Sequence, residues 1–485
     1  RNMPEPLVGG APNAPLVIAT LGTHGDVRPI IALGCGLQAR GYPVRILTSS
    51  HFETMIRSHG LAFFPLTGDY QKLLQRNPDL AEMRGGWRGI WGTLRAQMLN
   101  WARDWASQGR AACADAGLIL GVGSASFLAH SLGQAYGVPV VFAQLQPLTA
   151  SRHLPLTVMP SVRLPGRVSV ALHHLVRLIG WQLLRPALND VVRPALGLPA
   201  YPWTGPDRNA LRVIYGYSAQ LCPRPPDWPQ SAQVCGFWRL PQPQWQSSAA
   251  LQAFLQAGPP PLYIGFGSMT SSDAAQLTAT VKAAVRLTGQ RALLASGWGG
   301  LAVGEAADDD DAERFFHLEQ APHDWLFPRV AVAVHHGGAG TSGAALAAGI
   351  PSVVLPFGYD QSFWAHCLAQ RGVAPPALAR AGLQPEGLAA AIQQASTPTM
   401  RAAARALGQR IGEEDGVRSA VDQLEAWHLL EPTAVAPLAV ASQAQCLTAR
   451  CQPCQHDIGR ARYLQHPLHV ALAFDRGDQL RIDMG

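Results

Sequence analysis

The chain has 485 residues, enough for roughly two to four domains that each bury a hydrophobic core. Apolar residues make up 48% and charged residues 14%, which excludes a disordered chain. The net charge of +6 comes mostly from scattered arginines, and with no RRM, zinc-finger or helix-turn-helix signature it favours small anionic ligands over nucleic acid.

Residues 1–14 read as an unstructured lead, and from Pro15 a repeating pattern begins. PLVIATLG is a short buried strand, THGDVRP a turn, IIALGCGLQARG a helix and PVRILTS a second strand. Strands alternating with helices predict a parallel sheet. The pattern continues through GLAFFPL and weakens between 68 and 112. There Trp87 and Trp91, and again Trp101 and Trp105, lie four residues apart, as on one face of a helix from 87 to 105 that packs into a core. It returns with AGLILGVG, a helix near 125–136, and GVPVVFA.

Between 145 and 215 apolar helical stretches such as VSVALHHLVRLIGWQLL replace the alternation. The segment PRPPDWPQSAQVCGFWRLPQPQWQ is too rich in proline for a helix or a central strand and reads as a hinge. A second series follows: PPLYIGFGSM, a helix around 273–288, QRALLASGW, the strand RFFHLEQ and then VAVAVHHGGAGTSGAALAAG. The domains are therefore placed at 15–240 and 241–430, with a linker and tail at 431–485. Two doubly wound sheets of this kind bind ligands at the carboxyl ends of their strands, in the cleft between domains.

HHGGAGT falls at a strand-to-helix turn, where Gly338, Ala339, Gly340 and Thr341 aim free N–H groups outward as an anion site. It is neither a P-loop nor a Rossmann fingerprint, because no Gly-Lys-Ser/Thr follows and the glycine spacing is wrong. LGCGLQA contains a formal dinucleotide fingerprint at Gly34 and Gly36, but it lies within a helix and is given no cofactor role. The acidic run at 308–311 contains an Asp-x-Asp and reads as a solvated loop.

HHGGAGT, PFGYDQSFW, GFGSM, ASGWGGL and APHDWLFPRV in the second half, with GTHGDVRP, SHGLAFFPLTGD and PRPPDWP in the first, resemble the family 1 glycosyltransferases of GT-B fold. Within that family the motifs are most similar to the sterol 3-beta-glucosyltransferases and their bacterial relatives. The likeness runs from about 15 to 430 and implies an α/β protein of two Rossmann-like domains facing across a cleft. It further implies an inverting hexosyltransferase that moves glucose from a UDP-sugar to the hydroxyl of a sterol or another lipophilic alcohol.

Carried over residue by residue, the likeness assigns the diphosphate to His336 and to Gly338, Ala339, Gly340 and Thr341. Ser268 would touch the phosphates, while Ala321, Pro322 and His323 would present backbone to the uracil ring. Asp360 and Gln361 would hold sugar hydroxyls, and Asp360 has a second reading as a helix N-cap. Gly22 and Thr23 are counted with the donor site. Asp26 is the preferred general base and His24 the competing one. A carboxylate at a helix N-terminus is stabilised as the anion, which argues for a weak base at Asp26. The helix N-terminus and His336 would neutralise the leaving diphosphate, so no metal and no other cofactor is expected.

The acceptor stays open. The apolar stretch at 154–185, with Trp181, suits an oily pocket, a membrane-facing helix or plain core, so peripheral contact with the inner membrane surface is included among the expected partners. A UDP-sugar 2-epimerase, a rhamnosyl or other-sugar transferase to a lipid or polyketide, and a silent sugar-nucleotide sensor are the alternative functions. The eight cysteines form no disulfide framework and follow no secretory leader, which suggests a reducing cytoplasm. Cys446, Cys451, Cys454 and His456 are grouped as zinc ligands would be, but at irregular spacing, so a tail without metal is expected.

Overall fold

Alternating buried strands and amphipathic helices produce two parallel sheets, seen in a computed structural model that describes residues 14–77, 87–162, 164–207, 211–242, 245–267, 274–295, 313–430, 472–474 and 480–482. Ser268, the acidic run at 308–311, the lead at 1–13 and the group Cys446, Cys451, Cys454 and His456 lie outside the described residues.

The first sheet has seven strands: β1 Leu16–Leu21, β2 Val44–Thr48, β3 Ala62–Pro65, β4 Leu118–Gly123, β5 Val140–Gln144, β6 Arg212–Tyr215 and β7 Ala232–Val234. Their order is β3-β2-β1-β4-β5-β6-β7, parallel throughout. The second has five, β8 Leu262–Gly265, β9 Ala292–Ala295, β10 Phe315–Leu318, β11 Val332–His335 and β12 Ser352–Val354, in the order β10-β9-β8-β11-β12. Each order reverses beside its first strand, between β1 and β4 and between β8 and β11. These are the two points where a doubly wound sheet opens a crevice.

Period-two alternation fills both faces of each sheet. In β1, Leu16 and Ile18 enter one core with the helix His24–Ala39, while Val17, Ala19 and Leu21 enter another with Trp101 and Trp105. In the second sheet Ile264 and Val334 face one side, and Tyr263 and Ala333 the other. The tryptophan-bearing helix runs over Trp87–Cys113, longer than its sequence pattern predicts. Trp101 and Trp105 are buried, and Trp105 Nε1 donates to the Thr67 carbonyl at 2.6 Å.

Three expectations need correction. The 145–215 segment contains a strand, β6, beyond the helix Gly166–Pro186. The proline-rich hinge is a packed connection: Trp228 stacks on Tyr215 at 4.8 Å, and a core of Tyr217, Trp228 and Phe237 with Trp364, Leu368 and Leu407 joins it to the second domain. Prolines keep it out of central ladders, and only Ala232–Val234 joins a sheet, as an edge strand. The boundary at 430 assigns to the second domain a helix, Gly416–Ala426, that packs on the first. Its Ala420, Val421 and Leu424 complete the core beneath the helix His24–Ala39, where Gly36 leaves room for Val417. Gly34 meets Leu61, Ile46 and Val44 in the same way, so both glycines of the apparent fingerprint serve close packing.

Among the described residues no helix is long and apolar enough to cross a membrane. Cys35, Cys113, Cys222, Cys235 and Cys367 are unbridged. The segment Leu438–Gly485 forms a separate unit, in which β13 Leu472–Phe474 pairs antiparallel with β14 Leu480–Ile482.

Candidate active site

The loop after β1 belongs to the first crevice. Thr23 precedes the helix His24–Ala39, and its N–H donates to Asp26 Oδ2 at 2.8 Å while its hydroxyl lies 3.4 Å from the same oxygen. A Cβ at Gly22 would overlap the Asp26 carboxylate, so only glycine leaves the space that carboxylate fills. Gly22 and Thr23, counted above with the donor site, are thus engaged by Asp26.

Asp26 is partly accessible yet walled in by protein on most sides, as expected of a group in a cleft. Burial lifts its carboxyl from 3.8 to about 6; the Thr23 N–H pulls it down, and the charge of Asp360 adds to the rise. The local argument from the helix terminus is therefore overridden. Desolvation by the whole surroundings exceeds the favourable field of one helix turn, and the result is a stronger base. His24 stands edge-on to Phe52 at 5.0 Å, and burial with the nearby Arg28 and His51 lowers its pKa, which favours the neutral imidazole.

The second crevice is built from the ends of β8 and β11. The His336 ring lies between two glycines: a Cβ on Gly267 would come within 3.0 Å of Cε1, and one on Gly338 within 2.5 Å of Nε2. Gly267 also has φ +63°, a conformation that only glycine adopts freely. His336 Nδ1 is buried and has no hydrogen-bond partner among the described residues. Burial holds its pKa down at about 4, so it brings an N–H but no charge. His335 points into the core and accepts the Gly337 N–H on Nδ1 at 3.0 Å.

Gly338 caps the helix Ala339–Ala347, and Ser342 is the first residue whose N–H bonds back, to the Gly338 carbonyl at 2.9 Å. The N–H groups of Ala339, Gly340 and Thr341 are the helix's unpaired donors. Gly340 faces open space. Donors, a neutral imidazole and a helix dipole thus converge on one place suited to an anion.

Around these two loops stand the other predicted residues. Pro322 caps the short helix His323–Leu326, and its carbonyl takes the Leu326 N–H at 2.9 Å, with Ala321 partly exposed beside it. His323 stacks on Phe327 at 4.4 Å, and burial, Arg28 and His336 hold its pKa at about 4. Asp360 does not cap its helix by side chain; Oδ2 accepts the Trp364 indole N–H at 2.7 Å. Burial raises the Asp360 carboxyl. Gln361 is buried and its Oε1 accepts the N–H groups of Phe357 at 2.6 Å and Gly358 at 3.2 Å, so its carbonyl end shapes the loop.

Two residues carry no sequence-based role and still belong here. Arg28, one position past Val27 in the first loop's helix, interacts electrostatically with His323 and Asp324 of the second domain. Tyr359 holds a left-handed backbone, φ 60°, and exposes 50% of its surface while its phenol senses the charge of Asp26. Its place between Gly358 and Asp360 was the only signal in the sequence.

A buried carboxylate of raised pKa at one switch point and a helix N-terminus suited to an anion at the other, on two Rossmann-like sheets, fit a GT-B glycosyltransferase. Solved structures share this fold. The glycosyltransferase of kitacinnamycin superposes with TM-score 0.61 at 18% identity, covering 87% of this chain and 100% of that one. The spinosyn rhamnosyltransferase SpnG complexed with thymidine diphosphate gives 0.57 at 19% identity, covering 85% and 100%. Residues 16–134 match the glycosyltransferase family 28 N-terminal domain, and 317–424 the erythromycin biosynthesis protein CIII-like C-terminal domain.

The chain belongs to the glycosyltransferase family that contains the sterol 3-beta-glucosyltransferases. It is 30% identical over 427 residues to sterol 3-beta-glucosyltransferase UGT80B1 of Arabidopsis thaliana, covering 85% of this chain and 68% of the plant protein. It is 31% identical over 431 residues to the sterol 3-beta-glucosyltransferase of Emericella nidulans, covering 86% of this chain but 30% of the fungal protein.

Proposed function

We propose that this protein is an inverting hexosyltransferase that moves glucose from UDP-glucose to the hydroxyl of a sterol or a similar lipophilic alcohol. The observation that carries the reading is the pairing of Asp26, with its raised pKa, and the His336–Gly338 anion site on the two switch points. In the proposed step the acceptor oxygen attacks the anomeric carbon as the bond to the diphosphate breaks. Asp26 takes the hydroxyl proton, and the N–H groups of Ala339, Gly340 and Thr341 with His336 receive the departing negative charge. Asp360 is proposed to hold donor-sugar hydroxyls through the carboxylate oxygen not used by Trp364, and the stretch Ala321–His323 to face the uracil.

The leaving charge is met by a helix dipole and neutral donors, so no divalent cation is required in this reading. Unbridged cysteines suit a reducing compartment, and a lipophilic acceptor brings the enzyme to a membrane surface.

A donor and acceptor panel read by mass spectrometry tests the proposal. UDP-glucose with a sterol should yield a steryl hexoside and UDP, with the β-anomer by NMR. Release of UDP with no alcohol present, or a 2-epimerised sugar, would replace it with the epimerase reading. A thymidine diphosphate sugar used in preference would change the donor.

A further inference from the structure

The helix Gly166–Pro186 is apolar on two opposite sides. Ser169, His173, Trp181 and Leu184 are its buried face. At about 100° per residue, Val168, Leu172, Leu175 and Ile179 line up within roughly 60° on the other side. Val168 is 44%, Leu175 48% and Ile179 37% exposed. A surface helix normally carries charge there.

The neighbouring loops extend the feature. Val158, Met159 and Val162 are exposed in the turn leading into the helix. Trp203 is the most exposed of all at 59%, although its carbonyl is fixed by the Trp181 indole N–H at 2.9 Å and the Gln182 amide at 2.8 Å. Its backbone is thus pinned to the helix with the indole turned outward. Seven of the nine large exposed apolar residues among the described residues fall in this one region, so chance scatter does not account for them.

Charge gives the direction. Between Asp115 and Asp190 the sequence contains no Asp or Glu, while Arg152, Arg163, Arg167, Arg177 and Arg185 all lie there. Arg167 and Arg185, with His174, fall on one flank about 100° round the helix from the apolar stripe. Arg177 lies on the inner side, near Asp207. A neutral alcohol needs no arginines to recognise it, whereas an apolar stripe with a cationic flank and an outward tryptophan matches a bilayer with anionic headgroups.

We propose that the Val168–Ile179 stripe, with Trp203 and the flanking arginines, is a docking surface for an anionic lipid bilayer. The helix lies flat, its aliphatic side chains in the acyl boundary and Arg167 and Arg185 at the phosphates. This rests on the lipophilic-acceptor reading for its purpose, but its test needs no donor sugar.

The full chain is sedimented with phosphatidylcholine vesicles and with vesicles of three parts phosphatidylcholine to one part phosphatidylglycerol. Binding is expected to the anionic vesicles and to weaken with salt. The exposed double variant Leu175→Gln/Ile179→Gln should bind on the order of ten-fold or more weakly. Arg167→Gln/Arg185→Gln should lose the preference for phosphatidylglycerol. Circular dichroism confirms that both variants fold. Absent vesicle binding by the parent chain, or unchanged binding by both variants, overturns the proposal. If the apolar variant binds vesicles normally but loses transfer to a detergent-dispersed sterol, the stripe lines the acceptor site instead. Vesicle binding that responds as expected in a chain that transfers no sugar would leave the docking surface standing and remove only the reaction.

Discussion

Replacing Asp26 by Asn should make the protein more stable at neutral pH while removing sugar transfer. Burial lifts this carboxyl from 3.8 to about 6. That rise of about 2 units corresponds to roughly 3 kcal/mol at about 1.4 kcal/mol per unit. Across pH about 4 to 6 the folded chain keeps a proton that the unfolded chain has released. Stability therefore falls as pH rises through that window, and the full cost stands above it. Asn has no charge to desolvate and keeps an oxygen for the Thr23 N–H. The variant is expected to gain on the order of 1–3 kcal/mol at pH 7.5, shrinking to about 1 kcal/mol or less at pH 4.5, where folded Asp26 is already protonated. Denaturation midpoints of both proteins at the two pH values measure this. A difference independent of pH, or a variant less stable at pH 7.5, would refute the desolvation argument. Transfer by the same variant should fall about 100- to 10,000-fold, the usual contribution of a general base. His24→Gln should lose far less; a dead His24→Gln beside an active Asp26→Asn would make His24 the base.

In the parent enzyme kcat/KM should fall below a pH of about 6, because Asp26 must be unprotonated to accept the proton; a profile flat to pH 4.5 would count against it. His336→Ala should weaken UDP binding by about 1.5–3 kcal/mol, the range for a hydrogen bond to a charged group, and unchanged affinity by titration calorimetry would remove its phosphate role. Activity in EDTA should equal that without it, and loss restored by magnesium or manganese would show a cation at work. Tyr359→Gly should relieve a left-handed backbone worth about 1–2 kcal/mol and raise the melting temperature, while lowering kcat/KM if the ring contacts substrate in the cleft.

What was legible in the sequence is what local chemistry specifies. Buried runs such as LVIATL and VAVAV, the glycines at Gly337 and Gly338 and the alanine-rich start at Ala339 mark strand, turn and helix within a few residues of one another. Parallel sheets follow from their alternation, and the anion site follows from a helix N-terminus after a strand. Even the proline-rich connection announced itself, because proline removes the N–H that a ladder requires.

Tertiary structure alone decided the rest, because the deciding neighbours are distant in sequence. A helix terminus in isolation argues for an acidic Asp26; burial in the assembled fold, with the charge of Asp360 adding to it, raises the carboxyl instead. Gln361 reads as a sugar ligand, and only the fold shows that its carbonyl end also accepts from Phe357 and Gly358. Gly34 and Gly36 mimic a dinucleotide loop, yet they admit Leu61 and Val417 in helix packing. The stripe Val168, Leu172, Leu175 and Ile179 looks like ordinary core in a helical pattern, since periodicity records which residues share a face and not what that face meets. Desolvation, shared hydrogen bonds and exposure are sums over contacts brought together by folding, and no window of the sequence contains them.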